Sequence, residues 1–261
     1  MSKVYMLTIP RGPQKSDLGW EYKVSKRMLQ VMIDQNDCKK WIIAEEVGKN
    51  GYEHWQIRVE TSNKAFFDWV HQLIPCAHVE ESNHEWKETY ERKEAKFWSW
   101  CDTNQVRNCR FGQPRNWQKR CIKAFRTQND RQIDVWYDPV GQKGKSWLAG
   151  HLHETGQAFM LPRLWGDSDD LASMIVRHYN HSGVIVIDIP REKPIPKNFY
   201  AAVEMMKDGL IGTCKYEGGM IHIRGVKIVI FTNEQLDKNK LSHDRWRLHG
   251  IKKEESAAPS S

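Results

Sequence analysis

The chain has 261 residues, with 40 Lys/Arg against 33 Asp/Glu, a formal charge of +7 and 12 Trp. That length suits one large or two modest domains, and 39% hydrophobic residues can fill a core, which argues against a disordered chain. Met1 to Tyr5 leads into only a short apolar run before Pro10, and none of the six cysteines forms a C-x-x-C pair. The expectation is therefore no secretory signal, no transmembrane helix, no zinc ribbon or redox motif, and a soluble intracellular protein with reduced thiols.

Val4–Ile9 predicts a first strand stopped by Pro10, and Trp20–Ile33 carries apolar residues near helical spacing. Trp41–Ala44 predicts a second strand, Lys49-Asn50-Gly51 a hairpin turn, and His54–Glu60 the alternating return strand. A helix over Asn63–Leu73, a short strand at His78–Glu80 and a helix over Glu85–Trp100 complete the first half. The β-α-β-β-α-β-α order predicts an α+β unit, an antiparallel sheet with helices in a ferredoxin-like arrangement. Charge changes character near Asp102. Residues 101–150 hold ten Lys/Arg and four Asp/Glu, and Thr103–Asn129 holds seven basic residues and no acid. Such a block points to phosphates or an acidic polymer. Gly112-Gln113-Pro114 reads as a linker and Trp117–Arg126 as a short basic helix. Beyond it, the strands Ile133–Trp136, Val184–Asp188 and Lys227–Asn233 alternate with helices at Trp147–His153, Leu171–Tyr179 and Phe199–Met206. Continuous apolar strands between helices predict an α/β unit whose sheet is buried on both faces. The expected division is 1–102, a basic segment 103–129, 130–250, and a disordered tail 251–261.

Gly141, Gly144, Lys145 and Ser146, in GQKGKS, lie between a predicted strand and helix. Backbone N–H groups of such a loop bind phosphate oxygens, Lys145 adds a charge at the β and γ phosphates, and Ser146 can hold Mg²⁺. The spacing departs from strict G-x-x-x-x-G-K-S, because Pro139 stands at the first glycine position. Asp188 and Asn233 each end an apolar strand, where a carboxylate can hold the metal and an amide can orient water. In the first half, His54 and Gln56 are two apart on a strand and share a face, where Glu46 from the neighbouring strand can meet them. One carboxylate, one imidazole and one amide oxygen suit Mg²⁺ or Mn²⁺. Tyr90 and Lys93 lie one helical turn apart, and a tyrosine hydroxyl can attack a phosphodiester that a metal polarises. His151-Leu152-His153 sits in a predicted helix, where i and i+2 do not face each other, and is read as structural.

The ordered series MLTIPRG (6–12), EHWQIRVE (53–60), YERK (90–93), GQKGKS, VIVID, IVIFTN and LSHDRW (241–246) resembles the replication initiators (Rep) of circular single-stranded DNA (CRESS-DNA) viruses. MLTIPR and the DIPR after Val184–Asp188 are similar to smacovirus-like members. The resemblance implies an HUH endonuclease fused to a superfamily 3 helicase, which nicks and rejoins origin DNA through a 5′-phosphotyrosine and unwinds DNA with ATP. It implies Tyr90 as nucleophile and Lys93 as its positioning or charge-compensating partner. Glu46 would join His54 and Gln56 on Mg²⁺ or Mn²⁺, with Glu45 as the fallback ligand. Lys145 and Ser146 would be the Walker A pair and Asp188 the Walker B acid. Asn233 would be the sensor, Arg245 the finger reaching a neighbouring subunit's ATP, and Lys215 a DNA contact. Asp188 is followed by Ile189 rather than a second acid, which leaves Glu192 and Glu204 as guesses for the general base of ATP hydrolysis. The implied partners are single-stranded origin DNA, ATP, a homo-oligomeric ring such as a hexamer, and host replication factors, with no membrane. The location would be the host nucleus in a eukaryote and the cytoplasm otherwise. The alternatives are a nuclease-inactive DNA-binding adaptor and a metabolic P-loop phosphotransferase; the latter leaves the first-half motifs unexplained.

Overall fold

Two units, Met1–Phe111 and Gly112–Ser261, divide the computed structural model. It describes residues 2–16, 18–82, 86–161, 167–191, 195, 197–215 and 218–251. Glu85, Glu192 and the tail from 252 lie outside the described residues.

In the first unit, β1 (Lys3–Pro10) buries Tyr5, Leu7 and Ile9 on one face and turns Met6 and Thr8 to the other, as period-2 alternation requires. Two short strands, β2 (Gln14–Lys15) and β3 (Glu21–Tyr22), pair, and β3 takes up residues where the sequence suggested the start of a helix. The helix α1 (Lys26–Gln35) begins later, because Ser25 accepts the Met28 N–H at 3.3 Å and caps it. The hairpin strands β4 (Cys38–Val47) and β5 (Glu53–Thr61) follow, then α2 (Phe66–Leu73) and β6 (His78–Ser82). Strand order β6-β1-β5-β4 is antiparallel throughout, and α1 and α2 cover one face with Leu29, Met32, Phe66 and Val70. The helix expected over Glu85–Trp100 does not form. Turns occupy 89–94, and β7 (Phe97–Ser99) pairs with β4, because Phe97 is buried against Ile42 and Ala44 on the face the helices leave free. Helix propensity is a weak prior that such pairing overrides.

The segment 103–129 is two helices. α3 (Asn104–Phe111) ends the first unit, and α4 (Asn116–Arg126) opens the second. Not every cation here faces outward: Arg110 donates to both Asp102 oxygens at 2.7 Å and to the Phe97 carbonyl at 2.8 Å, with its side chain fully buried. The second unit continues as β8 (Ile133–Tyr137), α5 (Lys145–Glu154), β9 (Phe159–Met160), α6 (Ser168–His178), β10 (Val184–Asp188) and α7 (Phe199–Asp208). A hairpin, β11 (Leu210–Thr213) and β12 (Gly219–His222), precedes β13 (Lys227–Thr232) and β14 (Trp246–Gly250). The sheet order is β14-β8-β13-β10-β9, all parallel. α6 and α7 pack on one face against Val135, Ile187 and Ile230, and α4 and α5 pack on the other against Trp136, Val186 and Phe231. The sequence showed β8, β10 and β13 but not β9 or β14. The molecule is thus mixed α/β, with one antiparallel and one parallel sheet. No helix among the described residues is long and apolar enough to cross a membrane, and no disulfide joins the six cysteines.

Gly209 ends α7 with φ of +79°, and a Cβ there would lie 2.3 Å from the Arg224 nitrogen. A left-handed residue with a Cβ costs about 1–2 kcal/mol before any clash. Gly209→Ala is expected to cost more than that in urea denaturation of the whole chain. A change below about 0.5 kcal/mol, the usual limit for a surface substitution, would show that the hairpin yields freely.

Candidate functional site

The central strand β5 places His54, Gln56 and Arg58 on the sheet face opposite the helices, while Trp55, Ile57 and Val59 enter the core. Cross-strand register sets Glu46 opposite His54, and both Ala44 and Thr8 opposite Gln56. The turn fixes that register: Gly48 N–H donates to Tyr52 O at 2.8 Å, and Gly51 adopts a left-handed φ of +76°. Glu45 emerges on the other side and pairs with Arg11 at 3.1 Å. Of the two glutamates, only Glu46 meets His54.

Glu46 is buried, and its Oε2 lies 3.5 Å from His54 Nε2 and 2.7 Å from Lys93 Nζ. His54 Nδ1 lies 3.2 Å from the Tyr52 carbonyl. A carbonyl only accepts, so Nδ1 donates to it, and Nε2 is left facing the Glu46 carboxylate. Glu46 Oε1 is buried and has no hydrogen-bond partner, which leaves a carboxylate oxygen able to take a cation. Gln56 Oε1 accepts from Thr8 Oγ1 at 3.0 Å. Among the described residues no group of three or more His, Cys, Asp or Glu gathers around one point. This donor set has two such residues and one amide, which suits a hard divalent cation with open positions.

Tyr90 and Lys93 lie on a turn, not a helix, yet their spacing holds: Lys93 N–H bonds to Tyr90 O at 3.3 Å, and Lys93 Nζ sits 3.7 Å from the Tyr90 ring centroid. Burial lowers the Lys93 pKa, but hydrogen bonds to Glu46 and Tyr90 outweigh it and hold the ammonium above its ordinary value. Lys93 thus bridges Glu46 to a half-exposed tyrosine. The turn is pinned from below by a pair that sequence reading did not single out. Arg58 Nε donates to Glu91 Oε1 at 3.0 Å, and both side chains are buried. Burial raises the Glu91 pKa, and Arg58 offsets only part of that.

In the second unit, a cavity of about 440 Å³ opens at the carboxyl ends of β8, β10 and β13 and brings together Gly141, Lys145, Ser146, Asp188 and Asn233. This is where ligands enter parallel sheets. Ser146 Oγ donates to Asp188 Oδ2 at 3.3 Å, so the two oxygens stand side by side in the cavity. Two residues were not anticipated. Asp138, fully buried, accepts Lys145 Nζ at 2.9 Å and the Gly141 N–H at 2.8 Å. Burial raises its pKa, but these two donors win and hold it below the ordinary carboxylate value. Arg191 Nη2 donates to Val140 O at 2.7 Å, and Gly141 adopts a left-handed φ of +87°, which favours glycine there. Asn233 Nδ2 donates to Asp138 O at 2.5 Å.

Lys215 and Arg245 are not brought to this cavity. Lys215, in the β11–β12 hairpin, pairs with Asp167 at 3.3 Å and with Asp170. Arg245 immediately precedes β14, whose first residue pairs with the first of β8, so it lies at the amino edge of the sheet. Five strand residues, roughly 16 Å, separate the two edges. Arg245 is 8% exposed and lies 3.8 Å from Glu204, the guessed base, which shares that far edge. His151 and His153 lie along α5, as expected of structural residues.

No protein-family model matches the chain. It is 35% identical to the master replication protein of Banana bunchy top virus over 115 residues, 44% of this chain and 38% of that one. It is 32% identical to Para-Rep C2 of Milk vetch dwarf C2 alphasatellite over 133 residues, 50% of this chain and 45% of that one. Para-Rep C1 of Faba bean necrotic yellows C1 alphasatellite is 31% identical over 135 residues, 51% of this chain and 46% of that one. The chain is a relative of the CRESS-DNA Rep proteins. It spans less than half the length of these curated relatives.

Removing one partner of a buried ion pair strands the other charge, at about 3–5 kcal/mol. Arg58→Met is therefore expected to destabilise this Rep relative by that amount in urea and to speed amide exchange at Arg92 and Lys93. Arg58→Met with Glu91→Leu should recover most of the stability. A single variant losing less than about 1 kcal/mol, the range of an exposed pair, would remove Arg58 and Glu91 as the anchor of the tyrosine turn.

Proposed function

We propose that the chain initiates rolling-circle replication, nicking and rejoining single-stranded origin DNA with its first unit, an HUH-type endonuclease, and unwinding DNA with ATP through its second, a superfamily 3 helicase. The observation that carries this reading is Lys93, which joins Tyr90 to Glu46 on the sheet face that also holds His54 and Gln56. A nucleophile, a cation and a metal-suited donor set on one face, in a relative of viral replication proteins, fit strand transfer better than any other chemistry.

In this proposal Glu46, His54 and Gln56 hold Mg²⁺ or Mn²⁺, which when bound polarises the scissile phosphate. Tyr90 Oη attacks phosphorus, the bond to the 3′ oxygen breaks, and a 5′-phosphotyrosine and a free 3′ hydroxyl result. The Lys93 ammonium stabilises the tyrosine oxygen as it loses its proton. A later 3′ hydroxyl reverses the exchange and rejoins the strand. In the second unit, Lys145 and the loop N–H groups take the phosphates of ATP, Ser146 and Asp188 suit its Mg²⁺, and Asn233 orients water. Single-stranded DNA, a ring of further copies and host replication factors are the proposed partners, and the nucleus of a eukaryotic host is the proposed location. Exposed Lys and Arg residues of α4 suit the DNA backbone.

The test is incubation of the full chain with Mn²⁺ and the labelled single-stranded origin of its own replicon, followed by peptide mapping. The nucleotide adduct is expected on Tyr90, absent from Tyr90→Phe and absent after chelation of the metal. Mn²⁺ affinity should fall in Glu46→Gln and hold in Glu45→Gln. An adduct on Tyr52 or Tyr137, or none with the wild-type chain, overturns the assignment.

A further inference from the structure

The phosphate loop binds anions only if its N–H groups point into the cavity, and a bare loop of this kind can rotate its peptide planes. α4 prevents that. Trp117 Nε1 donates to the Lys143 carbonyl at 2.9 Å, and Gln118 Nε2 donates to the Gly144 carbonyl at 2.9 Å. In a trans peptide the C=O and the following N–H point in opposite directions across one plane. Gripping the carbonyl of Lys143 therefore aims the N–H of Gly144, and gripping that of Gly144 aims the N–H of Lys145. Those are the N–H groups at the turn into α5, where a phosphate is best held.

The grip is itself rigid. Trp117 is 2% and Gln118 1% exposed. Trp117 packs on Trp136 and Phe231, from β8 and β13. Gln118 Oε1 accepts the Arg115 N–H at 2.7 Å, so its amide is fixed at both ends and its Nε2 can face only the loop. Gly144 adopts a left-handed φ of +82°, and a Cβ there would lie 3.2 Å from Gln118 Nε2, so the glycine also makes room for the grip.

We propose that α4 is a wall of the nucleotide site and that Trp117 and Gln118 are positioning residues, which pre-aim the Gly144 and Lys145 N–H groups at the phosphates of a bound nucleoside triphosphate. The proposal rests on the reading of this cavity as an ATP site. It places residues of the basic segment 103–129 in the ATPase itself.

The full chain is assayed for ATP hydrolysis and, separately, for ATP binding by calorimetry. Trp117→Phe deletes the N–H and keeps most of the ring packing, and Gln118→Met deletes both amide ends at similar volume. Each is expected to raise KM and Kd for ATP about three- to tenfold, the value of one hydrogen bond, with kcat changed less than KM. Gln118→Glu keeps the acceptor for Arg115 but sets a carboxylate oxygen against the Gly144 carbonyl, and should weaken ATP more than Gln118→Met does. A residue that merely packed would alter the thermal midpoint and leave the KM of the folded fraction alone. Lys145→Ala separates the two possible failures. If the wild-type chain binds no ATP and Lys145→Ala changes nothing, the ATP reading fails and this proposal with it. If Lys145→Ala abolishes binding while folded Trp117→Phe and Gln118→Glu bind as the wild type does, the ATP reading stands and only the role of α4 is overturned. Should Trp117→Phe not fold, the conservative Gln118→Glu alone decides in the same way.

Discussion

Everything in the first unit depends on β5 being buried on both faces. It pairs with β1 on one side and β4 on the other, so water reaches neither edge. Its odd-numbered residues Trp55, Ile57 and Val59 meet the demand of the core. Its even-numbered residues His54, Gln56 and Arg58 are polar and nearly as deeply buried, so each must find a partner. The partners they find are Glu46, Thr8 and Glu91. The polar face is thus assembled by the cost of burying unpaired polar groups, and Tyr90 is carried onto it as the neighbour of Glu91.

That origin explains what the sequence could and could not disclose. Alternation along β5 and the Asn50-Gly51 turn were enough to put His54, Gln56 and Glu46 on one face, because register follows from a period of two and a short loop. Glu46 over Glu45 follows from the same register. The Arg58–Glu91 pair was not legible, since its members lie 33 residues apart and charged residues on a strand and in a charged stretch look like solvated surface. The same stretch misled the secondary-structure reading: helix-forming composition from Glu85 gave no hint that Phe97 would be drawn into a strand beside β4. In the second unit GQKGKS was legible as a motif, but Asp138 and Gln118 touch it through contacts no spacing rule encodes. Arg245, which the resemblance makes a finger for a neighbouring subunit's ATP, stands at the amino edge of the sheet, away from the cavity of its own subunit.

The two units use one electrostatic device. In each, a lysine ammonium lies within 3 Å of a buried carboxylate oxygen: Lys93 on Glu46 at 2.7 Å, and Lys145 on Asp138 at 2.9 Å. A buried charge must be paired, so each lysine satisfies a carboxylate that the fold has already desolvated. The consequences differ with the sign of the expected ligand. At Glu46 the carboxylate would serve a cation, and Lys93, between it and the Tyr90 ring, already answers part of its charge. At Asp138 a polyphosphate would draw Lys145 toward itself, while the Gly141 N–H stays behind on the carboxylate. An aspartate at the head of a phosphate loop is otherwise a like charge facing its ligand. Lys145 and the Gly141 N–H offset that charge, and Arg191, held by the Val140 carbonyl, keeps a second cation at the mouth of the cavity. The loop is therefore set by three neighbours rather than by its glycines alone: α4 fixes its carbonyls, Asp138 its first turn and Arg191 its outer edge. A departure from the usual glycine spacing at Pro139 is compatible with that arrangement, because the shape that spacing normally secures is here imposed from outside the loop.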